Sequence, residues 1–267
     1  MKSFRRLPIA LTIAGSDSGG GAGIQADLKT FAALGVHGTT VVTAVTAQNP
    51  KKVAGILPCT AAFVRLQIET IFAELRPGAV KTGMLLSAPI VRAIADFFRH
   101  HRDVPLIVDP VMISTSGSRL LTPTGVQALQ NELLPIAALI TPNLDEAELL
   151  LKTKIRSVCE MQRAASDLND RFGCAVLVKG GHLLGSKTAV DVLFDGKRGF
   201  MLTSPYIKGL HLHGTGCTLS AAITAGMANG LALTEAVRRA KKYIGQAIAK
   251  RNSAAGHLLL NHDSLRT

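Results

Sequence analysis

Short apolar segments alternate along this chain with longer amphipathic ones, and this alternation limits the fold more than any other feature of the sequence. Residues 38–47 and 175–179 have the β-branched, apolar composition of strands, whereas residues 88–101 and 234–251 have the apolar spacing of helices. Strands that alternate with helices of this length build parallel sheets that are covered by helices on both faces. The sequence therefore predicts an α/β fold with a mostly parallel central sheet in a three-layer, Rossmann-like arrangement.

The same patterns place eight strands and eight helices along the chain. The predicted strands are residues 7–14, 38–47, 79–82, 106–109, 138–141, 175–179, 189–194 and 200–203. The predicted helices are residues 24–34, 60–75, 88–101, 122–134, 143–151, 157–172, 215–231 and 234–251. No linker, repeat or change of composition divides the chain, so we expect residues 1–267 to form a single domain.

Charge and composition limit the partners. Thirty Lys and Arg against 18 Asp and Glu give a net charge of +12, which favours an acidic ligand. With no Trp and two Tyr, the chain lacks the aromatic platforms of single-strand binders, so we expect no nucleic-acid partner. No apolar run approaches the roughly 18 residues of a membrane helix, and we interpret the basic residues before residue 7 as a leader to a first strand. We expect a cytoplasmic protein with reduced cysteines and no membrane partner.

Polar segments stand at the carboxyl ends of six predicted strands. They are residues 15–17, 48–49, 81–84, 109–112, 141–143 and 179–181. Open parallel sheets bind ligands at this edge. The sequence therefore predicts one crevice that these six segments line together.

The best candidate for a phosphate site is the segment from His213 to Thr218. Gly214 and Gly216 allow a tight turn just before a long helix, where free N–H groups and the helix dipole attract anions. From the residues alone, a helix cap without a ligand is an equal alternative. Cys217 is either a small packed residue or a thiol whose pKa the helix N-terminus lowers. A near-match to the P-loop at residues 180–188 has its Lys one position too late and precedes a strand.

Three other polar features have an ordinary structural interpretation when they are judged from the residues alone. Asn143 and Glu146 have the spacing of a capping box, and Glu146 is also a candidate for a magnesium–phosphate cluster. His211 and His213 are too few to indicate a zinc site. Asp27, judged by its position alone, is a carboxylate on a helix surface.

Taken together and in order, these motifs resemble the hydroxymethylpyrimidine/phosphomethylpyrimidine kinases of thiamine biosynthesis, which belong to the ribokinase-like superfamily. The resemblance covers about residues 7 to 250. It rests on residues 10–17 (ALTIAGSD), 20–30 (GGAGIQADLKT), 46–49 (TAQN), 81–85 (KTGML), 109–112 (DPVM), 141–143 (TPN), 178–182 (VKGGH) and 213–220 (HGTGCTLS).

The resemblance implies a reaction, cofactors and site residues. ATP with Mg²⁺ would phosphorylate 4-amino-5-hydroxymethyl-2-methylpyrimidine to its monophosphate and then to its diphosphate. The residues at the family's pyrimidine-binding positions are Asp27, Gln48, Met84 and Val111. Those at the nucleotide positions are Asn143, Glu146, Lys179 and Thr215, with Asp109 and Glu146 toward Mg²⁺. Those at the transferred phosphoryl group are Gly214, Gly216 and Cys217. The resemblance also implies a homodimer.

Two other functions remain open at this stage. One is a pyridoxal kinase of the same superfamily, and the other is a homologue that binds a pyrimidine without turnover. The chain departs from the family pattern in the loop 113–119, where Arg119 is the one basic residue, and in residues 252–267, which lack a Gly-x-Gly-Pro stretch.

Overall fold

The computed structural model describes residues 6–113, 117, 119–181, 188–206 and 212–263, and these contain eleven strands and eight α-helices. The strands are β1 (Ile9–Asp17), β2 (His37–Asn49), β3 (Lys52–Pro58), β4 (Ala79–Thr82), β5 (Leu106–Val108), β6 (Leu139–Ile140), β7 (Ala175–Gly180), β8 (Thr188–Phe194), β9 (Gly199–Pro205), β10 (Asn252–Ala254) and β11 (His257–Leu259). The helices are α1 (Gly23–Ala33), α2 (Ala61–Glu74), α3 (Ala88–Arg99), α4 (Pro123–Ala128), α5 (Leu144–Leu151), α6 (Val158–Phe172), α7 (Thr215–Ala228) and α8 (Leu233–Ala249).

One sheet of nine strands runs through the molecule in the order β3-β2-β1-β4-β5-β6-β7-β8-β9. The six strands from β2 to β7 pair in parallel. Antiparallel strands extend both edges, with β3 beside β2 and the β8–β9 hairpin beside β7. The predicted mostly parallel sheet is confirmed. It brings the carboxyl ends of the six central strands to one edge.

Helices cover both faces of this sheet, because side chains alternate along each buried strand. In β5, Leu106 and Val108 pack into one cluster with helices α2 to α6, whereas Ile107 packs into the opposite cluster with α7 and α8. Helix α1 lies on the α7 side, where Phe31 meets Ala221. The three-layer arrangement is therefore as predicted. No helix in the described part of the chain is long and apolar enough to cross a bilayer.

The structure differs from the predicted elements at several places. β1 and β2 run on through Asp17 and Asn49, so two of the polar segments end their strands instead of following them. Helix α4 stops at Ala128 and continues as a π turn and a 3₁₀ turn, because Pro135 has no N–H to continue the α-helical ladder. Strand β3 and the β10–β11 hairpin were not predicted. Leu57 in β3 is 71% exposed, so this edge strand leaves little apolar pattern in the sequence.

Three features of the sequence lie outside the described residues, wholly or in part. They are most of the loop 113–119, residues 182–187 of the P-loop-like segment, and His211.

Candidate active site

The carboxyl edge of the sheet carries a cleft of about 880 Å³. All six polar segments at the strand ends contribute to its wall. The contributing residues include Ser16, Asp17, Gln48, Lys81, Gly83, Met84, Asp109, Val111, Asn143, Lys179 and Gly181. The predicted crevice therefore exists, and α7 and α8 extend it on one side through Gly214 to Cys217 and through Lys241 and Gln246.

The start of α7 meets the glycine-rich turn after β1 almost backbone to backbone. Gly214, the N-cap of α7, has φ +85°, a left-handed conformation that favours glycine. A Cβ atom at this position would lie 1.8 Å from the carbonyl oxygen of Gly21. The next residues, Thr215 to Cys217, line the cleft with the first helical turn, whose N–H groups have no partner within the helix. This turn is built to accept an anion.

An ion pair stands opposite that turn. Lys179 Nζ donates to Asp109 Oδ1 at 2.7 Å, and Thr141 Oγ1 lies 3.1 Å from the same oxygen. Ser220 on α7 reaches the other oxygen, Oδ2, at 3.3 Å. Burial alone would raise the pKa of Asp109, but the ammonium groups of Lys179 and Lys81 outweigh burial and hold this pKa below its usual value. Asp109 is therefore an anion that fixes Lys179 in the cleft wall.

Asn143 and Glu146 form the capping box that their spacing indicated. The Asn143 side chain accepts from the N–H of Glu146, and the Glu146 carboxylate accepts from the N–H of Asn143, both at 2.8 Å. Both residues also line the cleft, so capping and cleft-lining are not alternatives here. Burial raises the pKa of Glu146 to about 7; the charge of Lys179 opposes that rise and the charge of Asp109 adds to it.

Asp109 and Glu146 were the residues predicted to face Mg²⁺. Among the described residues, no cluster of three or more His, Cys, Asp or Glu side chains could hold a metal ion by itself. Mg²⁺ commonly uses one or two protein carboxylates and completes its shell with water and phosphate oxygens. Two carboxylates whose charges repel each other in one cleft wall fit that requirement. Because both oxygens of Asp109 already have protein partners, the fit is best through water.

Three uncharged side chains form another part of the cleft wall. Gln48, Met84 and Val111 line it, and the methyl group of Met84 fills the space above Gly15, where a Cβ atom would come within 2.5 Å of Met84 Cε. These three side chains supply one carboxamide and two apolar surfaces, which suit a flat heteroaromatic ring.

Asp27 is placed differently from both of its interpretations. It is fully buried, so it is not a carboxylate on a helix surface. Its Oδ2 accepts from Lys81 Nζ at 2.8 Å and from Thr12 Oγ1 at 2.6 Å. Lys81 lines the cleft and Asp27 lies behind it. The structure thus places Asp27 as the partner of a cleft lysine and not at the cleft surface.

Comparisons with known proteins agree with this geometry. The family model described as phosphomethylpyrimidine kinase matches residues 17–261. The chain belongs to this family.

Individual relatives are similar to this chain over most of its length. A hydroxymethylpyrimidine/phosphomethylpyrimidine kinase of Rhizobium meliloti is 50% identical over 242 residues, which are 90% of each chain. The ADP complex of Bacillus subtilis pyridoxal kinase has a TM-score of 0.90 at 38% identity, over 98% of this chain and 99% of that one. A phosphomethylpyrimidine kinase structure from Clostridium difficile has a TM-score of 0.80 at 43% identity, over 91% of this chain and 100% of that one.

Of the two interpretations of Cys217, the thiol with a lowered pKa is wrong. Burial raises the pKa of the Cys217 thiol to about 11, although the Lys81 ammonium and a hydrogen bond from the Gly23 backbone oppose it. The helix N-terminus does not lower this pKa. Removing the thiolate from water costs more free energy than its contacts with Lys81 and Gly23 provide.

The sequence predicts no individual role for Asp17, which it places only within the segment 15–17, and it does not single out Lys241 or Asp191 at the cleft. Asp17 accepts from the N–H groups of the glycine-rich turn and contacts His213. Lys241 on α8 donates from Nζ to Oδ2 of Asp191 on β8 at 2.7 Å. Asp191 interrupts a buried apolar strand, and that interruption was the available signal.

A pair of glycine substitutions tests the close approach of the two turns. Gly214→Ala should destabilise the protein by about 1–3 kcal/mol more than Gly230→Ala. Gly230 also has a positive φ, +82°, but an added Cβ would meet nothing within 4 Å. Urea unfolding of both variants measures the difference. Equal losses would show that the backbone conformation alone, and not contact with Gly21, demands glycine.

The raised thiol pKa predicts slow alkylation of Cys217. With iodoacetamide at pH 7.5, exposed Cys159 should be modified first, and Cys217 should react faster by about tenfold per pH unit on the way to pH 11. Peptide mass spectrometry follows both thiols in one sample, so Cys159 serves as the internal control. Labelling of Cys217 as fast as Cys159 at pH 7.5 would contradict the raised pKa.

Proposed function

We propose that the chain transfers the γ-phosphoryl group of ATP to the hydroxymethyl group of 4-amino-5-hydroxymethyl-2-methylpyrimidine, and then phosphorylates that monophosphate to the diphosphate. The observation that carries this proposal is that one cleft combines an anion-accepting helix start with a carboxamide and apolar cover for a flat ring. Membership of the phosphomethylpyrimidine kinase family supports the same assignment. The continuous sheet from β3 to β9 supports a single kinase domain over residues 1–267.

Phosphoryl transfer depends mainly on positioning and on neutralising charge, and the cleft supplies both. The N–H groups from Thr215 to Cys217 would hold the transferred phosphoryl group, and Lys179 would add a positive charge that Asp109 keeps in place. Asn143 would lie beside the nucleotide phosphates. Cys217 would contribute a neutral thiol to this hole, because its raised pKa keeps it protonated near neutral pH.

Mg²⁺ would be held by Asp109 and Glu146, largely through water. When bound, the ion neutralises charge on the nucleotide phosphates. Glu146 would then have a second positive charge beside it, in addition to that of Lys179. The ADP complex of the related Bacillus subtilis pyridoxal kinase supports an adenine nucleotide as the phosphoryl donor.

Gln48, Met84 and Val111 would hold the pyrimidine. The carboxamide of Gln48 offers a donor and an acceptor to a ring nitrogen and its neighbouring amino group. Met84 and Val111 would cover the two ring faces. Asp27 would act on the substrate through Lys81, the side chain that it pairs with and that reaches the cleft.

An ADP-release assay with Mg-ATP tests the proposed reaction. Hydroxymethylpyrimidine, its monophosphate and pyridoxal are offered separately, with mass detection of the products. We expect turnover of the first two compounds and a diphosphate as the end product. Turnover of pyridoxal alone would assign the chain to the pyridoxal kinases that share its fold, and no turnover of any compound would favour a binding protein.

The predicted homodimer has a suitable surface. Val45 and Leu57 face each other across the β2–β3 hairpin and are both exposed, and Phe63 and Leu66 are exposed on the neighbouring helix α2. Four large apolar side chains around an edge strand indicate a covered surface. We propose that a second copy of the chain covers it. Because Gln48 is part of β2, the same contact would steady one side of the cleft.

The cytoplasmic location of the protein stays a prediction.

Analytical ultracentrifugation tests this surface. The protein should sediment as a dimer, and Leu57→Glu with Phe63→Glu should convert it to a monomer. Leu149→Glu, which adds the same charge at an exposed apolar position on α5, should leave the dimer intact. A monomeric unmodified protein at micromolar concentration would contradict the proposal.

A further inference from the structure

His213 joins two cleft residues that the proposed reaction treats separately. Its Nε2 atom lies 3.2 Å from Asp17 Oδ2 and 3.0 Å from the carboxamide nitrogen of Gln48. The ring also packs on the glycine-rich turn, since a Cβ atom at Gly21 would come within 3.1 Å of His213 Cδ2. Nε2 of His213 therefore lies between the Asp17 carboxylate and Gln48, the residue that we propose hydrogen-bonds to the pyrimidine edge.

Asp17 determines that this ring nitrogen of His213 carries a hydrogen. Its carboxylate accepts from the backbone N–H groups of Gly19, Gly21 and Ala22 at 2.8, 3.1 and 2.8 Å. Burial alone would raise the pKa of Asp17, but the contacts with His213 and with these N–H groups outweigh burial and lower it. Asp17 is thus an anion with only acceptor atoms, so the facing Nε2 of His213 must carry a hydrogen.

That hydrogen in turn decides how the Gln48 carboxamide is oriented. The structure places Nε2 of Gln48 toward the ring and Oε1 3.3 Å from Thr46 Oγ1. The two ends of a carboxamide have nearly the same shape, so their partners determine the orientation. A ring nitrogen that carries a hydrogen has no lone pair with which to accept one, so it cannot face the amino group of Gln48. Oε1 of Gln48 must therefore face His213, and the one hydrogen of His213 Nε2 is shared between Asp17 Oδ2 and this oxygen. The Thr46 hydroxyl donates its hydrogen to the carbonyl oxygen of Ser16 at 2.8 Å, so it can only accept from Gln48.

Both neighbours of the carboxamide therefore require the same orientation, with Oε1 at His213 and the amino group at Thr46. This orientation gives every member of the chain Asp17, His213, Gln48, Thr46 and Ser16 a compatible partner. It leaves one lone pair of Oε1 and one hydrogen of the amino group for a ligand, in a fixed order along the cleft wall.

We propose that His213 is a positioning residue that fixes this order of acceptor and donor on Gln48, and so sets the preference of the cleft for a heteroaromatic ring with an amino group beside a ring nitrogen. The inference rests on the proposed function, because it names how that substrate is selected. Without the imidazole, the carboxamide could rotate by a half turn and present the opposite order.

Binding of hydroxymethylpyrimidine without ATP, measured by isothermal titration calorimetry, tests the inference through a double-mutant cycle. His213→Ala and Gln48→Ala should each raise the Kd about tenfold, and the double variant should bind no more weakly than Gln48→Ala alone. His213→Gln keeps an N–H donor of similar reach and should restore part of the affinity. His37→Ala, at an exposed histidine on β2, is the matched control and should bind as the unmodified protein does.

A purely structural role of His213, as a support for Gly214, would give a different result. The Kd for AMP-PCP would then rise together with that for the pyrimidine, and the losses from His213→Ala and Gln48→Ala would add. Additive losses, or unchanged pyrimidine binding by His213→Ala, would overturn the inference and leave the proposed function standing. Absence of pyrimidine binding by the unmodified protein would overturn the proposed function and this inference with it.

Discussion

The contact between Gly21 and Gly214 holds together two segments from opposite ends of the chain, and the cleft depends on it. With any side chain at residue 214, the carbonyl oxygen of Gly21 would be too close. Because the two turns touch, the start of α7 opens over the ends of the central strands. Three interactions then cross this contact: Asp17 with His213, the Gly23 N–H with the Cys217 thiol, and α1 with α7. The proposed phosphoryl and pyrimidine sites share one wall for this reason.

Charge is the second organising factor of the cleft. Its floor and wall hold buried lysines and carboxylates in pairs, Lys81 with Asp27 and Lys179 with Asp109. Isolated buried charges would be costly, whereas paired ones are retained and keep fixed positions. Glu146 shares this wall, and its pKa is raised by burial and by the charge of Asp109 in spite of the opposing charge of Lys179. A cleft arranged in this way is suited to receive a polyanion together with a cation.

The sequence predicted the architecture well because that information is local. The continuous apolar run of β5 and the spacing of three and four in the helices depend only on neighbouring residues, and they are enough to predict three layers. The convergence of six polar segments follows from parallel pairing alone. Strand β3 escaped prediction for the opposite reason: as an edge strand with an exposed Leu57, it has no buried face to leave a pattern. The turn at the end of α4 was missed although Pro135 marks it.

At the site, the sequence by itself determined which residues are present and where the backbone needs the freedom of glycine, as at Gly214. It also determined the capping box of Asn143 and Glu146. These properties depend on residues that are close together in the chain. Only the tertiary structure decided that Asp27 is buried behind Lys81, that the Cys217 thiol is desolvated and keeps its proton, and that His213 stands between Asp17 and Gln48. Burial, pKa and hydrogen-bond direction depend on groups that lie far apart in sequence, and folding alone brings these groups together.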